Sequence, residues 1–284
     1  MTGELRFTKY QASGNDFVIV DELDAPAPAF DAAALCDRWT GIGADGVIRV
    51  TRGDRAPFRF DLTNADGSPG EMSGNGMRCL GAYLSDGGRL DVDEVDVETP
   101  AGTRHVAVTR GRDRVIAAVV AMGVPNFTKA AIPMKGPAWE TYREQPFDLG
   151  GGIRVIATAL SMGNPHLVLF VDEDPERYHL EHIGPVLERH ELFPERTNVE
   201  LARADGAEIR ARVWERGVGE TLACGTGACA VAVASHEAGR SGPAVTVRFR
   251  GGPLTVERGA DGQVMLGGPV SRVFDGTVDP AALA

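Results

Sequence analysis

Alternating apolar and polar positions recur along the whole chain and predict strands in both of its halves. The first half contains LRFTKY, FVIVD and FRFDLTN, and the second half contains IRVIATAL, LVLFVD and AEIRARVWERG. Alternation is typical of strands with one buried face, and short apolar runs fit strands buried on both faces. The sequences Asn-Ala-Asp-Gly and Gly-Ala-Asp-Gly interrupt this pattern, and they favour tight turns between strands.

Four stretches have a helical pattern instead. Residues 29–39 form one of them, with Asp31 as a candidate N-cap, and residues 175–190 form another. Two further helices are expected directly after glycine-rich turns, one that follows Ser73 and one that follows Cys224. Strands dominate and the helices are interspersed among them, so the predicted fold class is α+β.

The chain contains an internal repeat, visible in short motifs of its two halves. SGNDFVIVD resembles MGNPHLVLFVD, and EMSGNGMRCL has the same architecture as LACGTGACAV. Three landmarks recur at an offset of 149–151 residues: Gly14 and Gly163, Asn64 and Glu215, Ser73 and Cys224. A common offset for three landmarks favours gene duplication over coincidence.

Duplication predicts two similar lobes. We expect residues 1–124, completed by residues 272–284, to form the first lobe and residues 125–271 to form the second. A pseudo-twofold axis would bring the two glycine-rich helix starts face to face across a cleft.

The duplicated turns have chemistry that suits an amino-acid carboxylate. A Gly-x-Gly turn at a helix start leaves backbone N–H groups unpaired and favours an anion. Ser73 and Cys224 would then face the α-carbon from two sides, where a thiol with a pKa lowered by the helix start could act as a base. This arrangement predicts racemisation or epimerisation without a cofactor, since no pyridoxal lysine motif or metal-ligand set is evident.

Composition and charge narrow the classes of protein to which this sequence can belong. The net charge of −11 and the lack of a Lys/Arg cluster argue against a nucleic-acid partner. The first ten residues do not resemble a signal peptide, and no apolar run reaches the roughly 18 residues of a membrane span. Four cysteines in 284 residues do not form a disulfide scaffold, so we expect a cytoplasmic protein.

Other reactive-looking residues have simpler interpretations. Cys79 and Cys229 lie in helical patterns among apolar residues and are expected to pack in the core, whereas Cys36 lies in an ordinary amphipathic helix. His179 and His182 are three residues apart on a predicted helix, where a solvated face is expected rather than a metal site.

Several long motifs resemble those of the diaminopimelate epimerase family. These motifs are ASGNDFVIVD, TGIGADGVI, TNADGSPGEMSGNGMRC, MGNPH, RTNVE and WERGVGETLACGTGACA. The resemblance covers nearly the whole chain. It implies two pseudo-symmetric lobes, each a curled sheet around a central helix, with the active site between them. It further implies interconversion of LL- and meso-diaminopimelate on the lysine and peptidoglycan route, without a cofactor or metal, by a homodimer.

The resemblance also implies roles for individual residues. Cys224 would be one of two proton-transfer thiols, and His166 and Glu215 would tune the acid and the base. The amides that hold the reacting carboxylate would belong to Gly74, Asn75, Gly225 and Thr226. The groups that bind the ammonium groups and the distal carboxylate would be Asn15, Asn64, Asn164, Asn198, Glu215 and Arg216.

Ser73 departs from the family pattern, which has a second catalytic cysteine at this position. Three explanations remain open: an engineered replacement, a natural variant with residual activity, or a paralogue with another reaction. A paralogous racemase, epimerase or dehydratase and a non-catalytic amino-acid-binding relic are therefore alternative functions. A hydroxyl is a far weaker acid than a thiol, so we expect lowered turnover, and we expect no disulfide between positions 73 and 224.

Overall fold

A computed structural model describes residues 3–70, 72–149 and 153–283 of the chain. It contains seventeen strands and four α-helices within these residues. In chain order the elements are β1 (Leu5–Ala12), β2 (Asn15–Asp21), α1 (Ala32–Cys36), β3 (Gly46–Arg52), β4 (Phe58–Asn64), α2 (Gly74–Asp86), β5 (Glu94–Thr99), β6 (Gly102–Arg110), β7 (Val115–Gly123), β8 (Tyr142–Asp148), β9 (Arg154–Ser161), β10 (Pro165–Phe170), α3 (Leu180–Glu188), β11 (Asn198–Asp205), β12 (Glu208–Glu215), β13 (Gly219–Thr221), α4 (Gly225–Glu237), β14 (Ala244–Phe249), β15 (Gly252–Arg258), β16 (Val264–Pro269) and β17 (Ser271–Val278). The predicted α+β class is confirmed.

Three of the four predicted helices are present. The helices after Ser73 and Cys224 begin at the next residue in each case. The first predicted helix is shorter than expected and covers Ala32–Cys36, with Asp31 as its N-cap. The Asp31 carboxylate accepts hydrogen bonds from the backbone N–H groups of Ala33 and Ala34, which is the usual role of an N-cap aspartate.

The prediction of one continuous helix over residues 175–190 was wrong. The chain forms a short 3₁₀ turn at Pro175–Arg177, an extended residue at Tyr178, and only then α3. The buried guanidinium of Arg212 donates to the carbonyl oxygens of Pro175 (3.2 Å) and Tyr178 (2.6 Å). Each carbonyl also accepts one backbone N–H bond, from Tyr178 (3.3 Å) and from Leu180 (3.0 Å) respectively, so Arg212 adds a side-chain donor at the break between the 3₁₀ turn and α3.

The chain divides into two compact units, Met1–Ala121 with Gly267–Ala284, and Met122–Leu266. In the first unit the pairing runs from β17 through β1 and β2 to β6 and β7, with parallel contacts at β2–β3 and β4–β5 and antiparallel contacts elsewhere. Helix α2 contacts β1, β2, β3, β6 and β17, which include strands near both ends of this pairing order. The sheet therefore curls around α2.

The second unit repeats this order of pairing. Its antiparallel pairs β9–β10, β11–β12 and β14–β15 are joined by parallel contacts at β10–β11 and β12–β14, and β8 and β13 add edge strands. Helix α4 contacts β9, β10, β11, β12, β14 and β15 and occupies the place that α2 has in the first unit. The repeated sequence motifs therefore correspond to a repeated topology.

The interior of each unit is mainly apolar and includes the cysteines that were expected there. Cys36 belongs to a core cluster of the first unit with Leu5, Val18 and Val47. Cys79 and Cys229 are fully buried within the two central helices. The predicted core packing of Cys79 and Cys229 is confirmed, and Cys36 is buried as well.

Candidate active site

The start of α2 is capped by Ser73. Its backbone is extended (φ −116°, ψ 117°), and its Oγ accepts a hydrogen bond of 3.0 Å from the Gly76 N–H. This bond satisfies one of the unpaired N–H groups at the helix start. Gly74 and Asn75 form the buried first turn. Sequence analysis treated Ser73 only as a proton-transfer candidate and missed its capping role, although serine before a helix is a recognised cap signal.

Two predicted binding residues of the first unit are joined directly. The Asn75 side-chain amide donates to Asn15 Oδ1 over 3.2 Å, and the Asn15 amide donates to Asp45 Oδ2 over 2.5 Å. A third predicted residue, Asn64, ends β4 and donates to the hydroxyl of Ser68 in the turn that follows (3.0 Å). The structure therefore joins Asn15 and Asn75, while the contact of Asn64 is made within its own turn.

Cys224 occupies the equivalent place at the start of α4. Its backbone (φ −128°, ψ 123°) is close to that of Ser73, but its side chain makes no capping bond. The thiol donates to Glu215 Oε2 over 3.1 Å and lies 3.5 Å from the hydroxyl of Thr226. The two helix starts thus differ in use: one side chain caps its helix, and the other contacts a carboxylate.

The pKa of the Cys224 thiol is raised well above its ordinary value. Burial is the main cause, since only 5% of Cys224 is exposed, and the negative charge of Glu215 adds to it. The sequence-based expectation of a lowered pKa was therefore wrong. The helix start favours the thiolate, but burial and the neighbouring carboxylate favour the protonated form more strongly.

His166 and Asn164 continue this network in the interior of the second unit. The fully buried His166 contacts Glu200 through Nδ1 (2.7 Å) and Asn164 Oδ1 through Nε2 (2.9 Å). Asn164 in turn donates to Thr226 Oγ1 over 3.3 Å. A continuous chain of polar contacts therefore links the start of α4 to the buried Glu200.

Glu200 was missed by sequence analysis. Its carboxyl is fully buried, and desolvation raises its pKa above the ordinary range, although His166 partly offsets this effect. A Glu inside the apolar segment that forms β11 was the available signal. Buried acidic residues are uncommon unless they have a partner.

Asn198, the first residue of β11, contacts Arg216 in the turn after β12. Asn198 donates to the Pro165 carbonyl (2.8 Å) and accepts from the Arg216 backbone N–H (2.8 Å). Sequence analysis missed the nearly buried Glu188, whose carboxylate accepts from Trp214 Nε1 (2.9 Å) and from the Gly217 N–H (2.8 Å). These bonds hold the Trp-Glu-Arg-Gly turn that carries Glu215 and Arg216.

Comparison with known proteins identifies the family. The sequence pattern of the family described as "Diaminopimelate epimerase" matches residues 7–128 and 158–273. A diaminopimelate epimerase from Pelotomaculum thermopropionicum is 41% identical over 96% of this chain and 98% of its own length. One from a Synechococcus strain is 44% identical over 98% and 99%. The chain belongs to the diaminopimelate epimerase family.

Solved structures similar to this epimerase-family chain share its fold. A hydroxyproline epimerase from Agrobacterium vitis superposes with a TM-score of 0.67 at 16% identity, over 97% of this chain and 91% of that protein. A predicted epimerase from Pseudomonas aeruginosa superposes with a TM-score of 0.62 at 20% identity, over 96% and 99%. At these identities the likeness concerns the fold alone.

Two further observations concern parts of the protein outside the candidate site. His179, Glu181 and His182 are exposed, and their potential ligand atoms lie within 4.8 Å of one another, an arrangement that could hold a metal ion. Among the described residues, no helix combines the length and the apolar character that a membrane crossing requires.

Proposed function

We propose that this chain interconverts LL- and meso-diaminopimelate by proton transfer at the α-carbon, without a cofactor, in lysine and peptidoglycan precursor biosynthesis. Membership of the epimerase family supports the substrate and the reaction class. The observation that carries the mechanism is the Cys224 thiol at a helix start, hydrogen-bonded to Glu215. The family resemblance also supports a cytoplasmic location and a homodimer. Light scattering of the purified protein tests the dimer.

The first turns of α2 and α4 supply backbone N–H groups for the α-carboxylate. We assign these groups to Gly74, Asn75, Gly225 and Thr226, all of which are buried in their helix starts. When the α-proton leaves, the electron pair of the broken C–H bond spreads into the carboxylate. Preorganised N–H groups and the positive ends of two helix dipoles stabilise that developing charge.

Cys224 is protonated in the resting protein, because burial and Glu215 raise the pKa of its thiol. It is therefore ready to donate a proton to the α-carbon. To act as a base it first passes its proton to Glu215 Oε2, 3.1 Å away, and the thiolate then abstracts the α-proton. Each transfer breaks one bond to hydrogen and forms another. After inversion Glu215 holds one extra proton and Ser73 lacks one, and exchange with solvent water restores both groups.

Ser73 occupies the second proton-transfer position. Its Oγ already accepts the capping bond from Gly76, which leaves the hydroxyl hydrogen available for donation. Removal of a proton from carbon by an un-ionised hydroxyl is unfavourable near neutral pH, so the step at Ser73 limits turnover. Since the overall equilibrium constant is fixed, the lower rate reduces kcat/KM in both directions by the same factor.

The remaining polar residues recognise the rest of the substrate. We assign Arg216 to the distal carboxylate, because guanidinium forms bidentate bonds with such a group. The ammonium groups require acceptors, which the amide oxygens and the Glu215 carboxylate can supply. The assigned set is Asn15, Asn64, Asn164, Asn198 and Glu215, with His166 orienting Asn164. A substrate with a single stereocentre and no distal carboxylate would leave several of these groups unpaired, which disfavours it.

Incubation with LL-diaminopimelate, followed by chiral chromatography, tests the proposal. We expect meso-diaminopimelate to form slowly in EDTA-treated protein without added cofactor. Cys224→Ala should abolish the product. Cys229→Ala, in the fully buried interior of the same helix, should retain it. Binding of diaminopimelate without any product would instead identify a binding relic, and turnover of proline or hydroxyproline alone would identify a paralogue.

A further inference from the structure

A chain of four polar side chains runs from helix α2 to the loop before β3. The Arg78 guanidinium donates through Nη2 to Asn75 Oδ1. Asn75 Nδ2 donates to Asn15 Oδ1 (3.2 Å), and Asn15 Nδ2 donates to Asp45 Oδ2 (2.5 Å). Arg78 is fully buried and Asn75 is 2% exposed, so water does not compete for this end of the chain.

The two end residues of this series of side chains determine the direction of every hydrogen bond within the series. A side-chain amide can accept through oxygen or donate through nitrogen, and a flip of the amide exchanges the two. A guanidinium only donates, and an ionised carboxylate only accepts. With Arg78 at one end and Asp45 at the other, all three bonds form in one orientation of the two amides only. We infer that Arg78 and Asp45 are positioning residues that fix the amide orientations of Asn75 and Asn15.

Both positioning residues also hold the backbone around these amides. Arg78 Nη2 lies 3.5 Å from the hydroxyl of Ser13, a buried residue with a positive φ of 55° in the turn before β2. A non-glycine residue in this conformation requires support from its surroundings. Asp45 accepts a second bond, of 3.1 Å, from the Asp16 N–H just after Asn15. The turn that carries Asn15 is thereby tied to the first turn of α2.

The second unit makes the same contact with the direction reversed. Asn164 is the counterpart of Asn15 in the repeat, and Thr226 is the counterpart of Asn75. Here the asparagine donates to Thr226 Oγ1 (3.3 Å), because its carbonyl oxygen accepts from His166 Nε2 (2.9 Å). The repeat therefore preserves the contact, while the neighbouring charged or polar group sets its direction. This supports the orienting role of Arg78, whose counterpart position is Cys229.

The functional consequence rests on the proposed function, in which Asn15 binds substrate. Arg78→Met keeps an unbranched side chain of similar length but removes the donor that fixes Asn75 Oδ1. We expect KM for diaminopimelate to rise about 10- to 100-fold, the range for loss of a hydrogen bond to a charged group. We expect kcat to change by less than about threefold, because an orienting contact acts on the bound ground state and the transition state alike.

Arg78→Lys and Cys79→Ala serve as matched variants. The lysine retains a donor and should return KM to within about tenfold of the unmodified protein. Cys79 neighbours Arg78 on α2 and is equally buried, but it lies outside the polar chain. Cys79→Ala should lower the melting temperature while leaving KM within about twofold. A KM that follows melting temperature across all three variants would assign Arg78 a structural role only and overturn the proposal.

The side-chain amide signals of Asn15 and Asn75 in ¹H–¹⁵N NMR spectra test the proposal without activity. In unliganded protein, Arg78→Met should shift both amides, and Asp45→Asn, at the half-buried opposite end, should also shift both. The proposal would be contradicted if each variant shifted only the amide that its own residue contacts, Asn75 for Arg78→Met and Asn15 for Asp45→Asn. If the unmodified protein does not turn over diaminopimelate, the proposed function fails, whereas this spectroscopic result still decides the positioning roles.

Discussion

Replacement of Ser73 by cysteine should lower the stability of the protein slightly and raise the rate of epimerisation strongly. The backbone at Ser73 (φ −116°, ψ 117°) is nearly that of Cys224 (φ −128°, ψ 123°), so a cysteine fits there without a change of conformation. The second unit therefore shows how the variant would be arranged. Cys224 makes no capping bond, so Ser73→Cys should lose the 3.0 Å bond from the Gly76 N–H.

Both effects have an expected magnitude. Loss of a serine N-cap costs about 1 kcal/mol, which lowers the melting temperature of a protein of this size by about 2–4 °C. A competent acid–base group contributes about 10²- to 10⁴-fold to the rate. We therefore expect kcat/KM to rise at least about 100-fold, equal to about 2.7 kcal/mol of activation free energy.

Parallel measurements of melting temperature and of epimerisation from LL-diaminopimelate separate the two effects. Ser73→Ala is the matched control, since it also loses the cap but introduces no thiol. It should show a similar loss of stability and no gain in rate. A folded Ser73→Cys variant with unchanged kcat/KM would refute the assignment of position 73 to proton transfer.

Two further predictions concern the second unit. Glu215→Gln should lower the pKa of the Cys224 thiol, because the Glu215 charge and hydrogen bond both raise it. The ultraviolet absorbance of the thiolate, with Cys224→Ala as the blank, should then rise at a lower pH. An unchanged titration would contradict the electrostatic account. Gly184→Ala should reduce the free energy of unfolding by about 1–3 kcal/mol, because its Cβ would lie 2.5 Å from the Trp214 ring. Gly242→Ala, which meets open space, is the control in urea denaturation and should be near neutral.

Local sequence signals predicted the helix starts well. The glycine-rich turns indicated where α2 and α4 lie, and Asp31 was recognised as an N-cap. Helix α4 begins at Gly225 as predicted, whereas α2 begins at Gly74, within the glycine-rich turn that was expected to precede it. These features depend on neighbours within three or four residues, which the sequence displays directly. The prediction of a continuous helix over residues 175–190 failed at the extended Tyr178, where Arg212, distant in sequence, donates to the carbonyls of Pro175 and Tyr178.

The electrostatics of the candidate site depended on contacts that the sequence does not display. The pKa of Cys224 could be predicted only with knowledge of its burial and of the approach of Glu215 from the end of β12. Glu200 became recognisable through its contact with His166, 34 residues earlier in the chain. The sequence shows Arg78 only as one charged residue after a glycine-rich turn, whereas the structure buries it fully. Charged groups inside a fold are interpretable only together with their partners.

Exchange of the α-proton with solvent tests the central claim most directly, namely that Cys224 transfers this proton while Ser73 limits inversion. LL- and meso-diaminopimelate are incubated separately with the protein in D₂O, and loss of the α-proton signal in ¹H NMR spectra is compared with the appearance of the other isomer. We expect one isomer to lose its α-proton faster than it is inverted, through deprotonation and return of deuterium at Cys224, and Cys224→Ala should abolish this exchange. Absence of exchange in the unmodified protein, or exchange that persists in Cys224→Ala, would contradict the account.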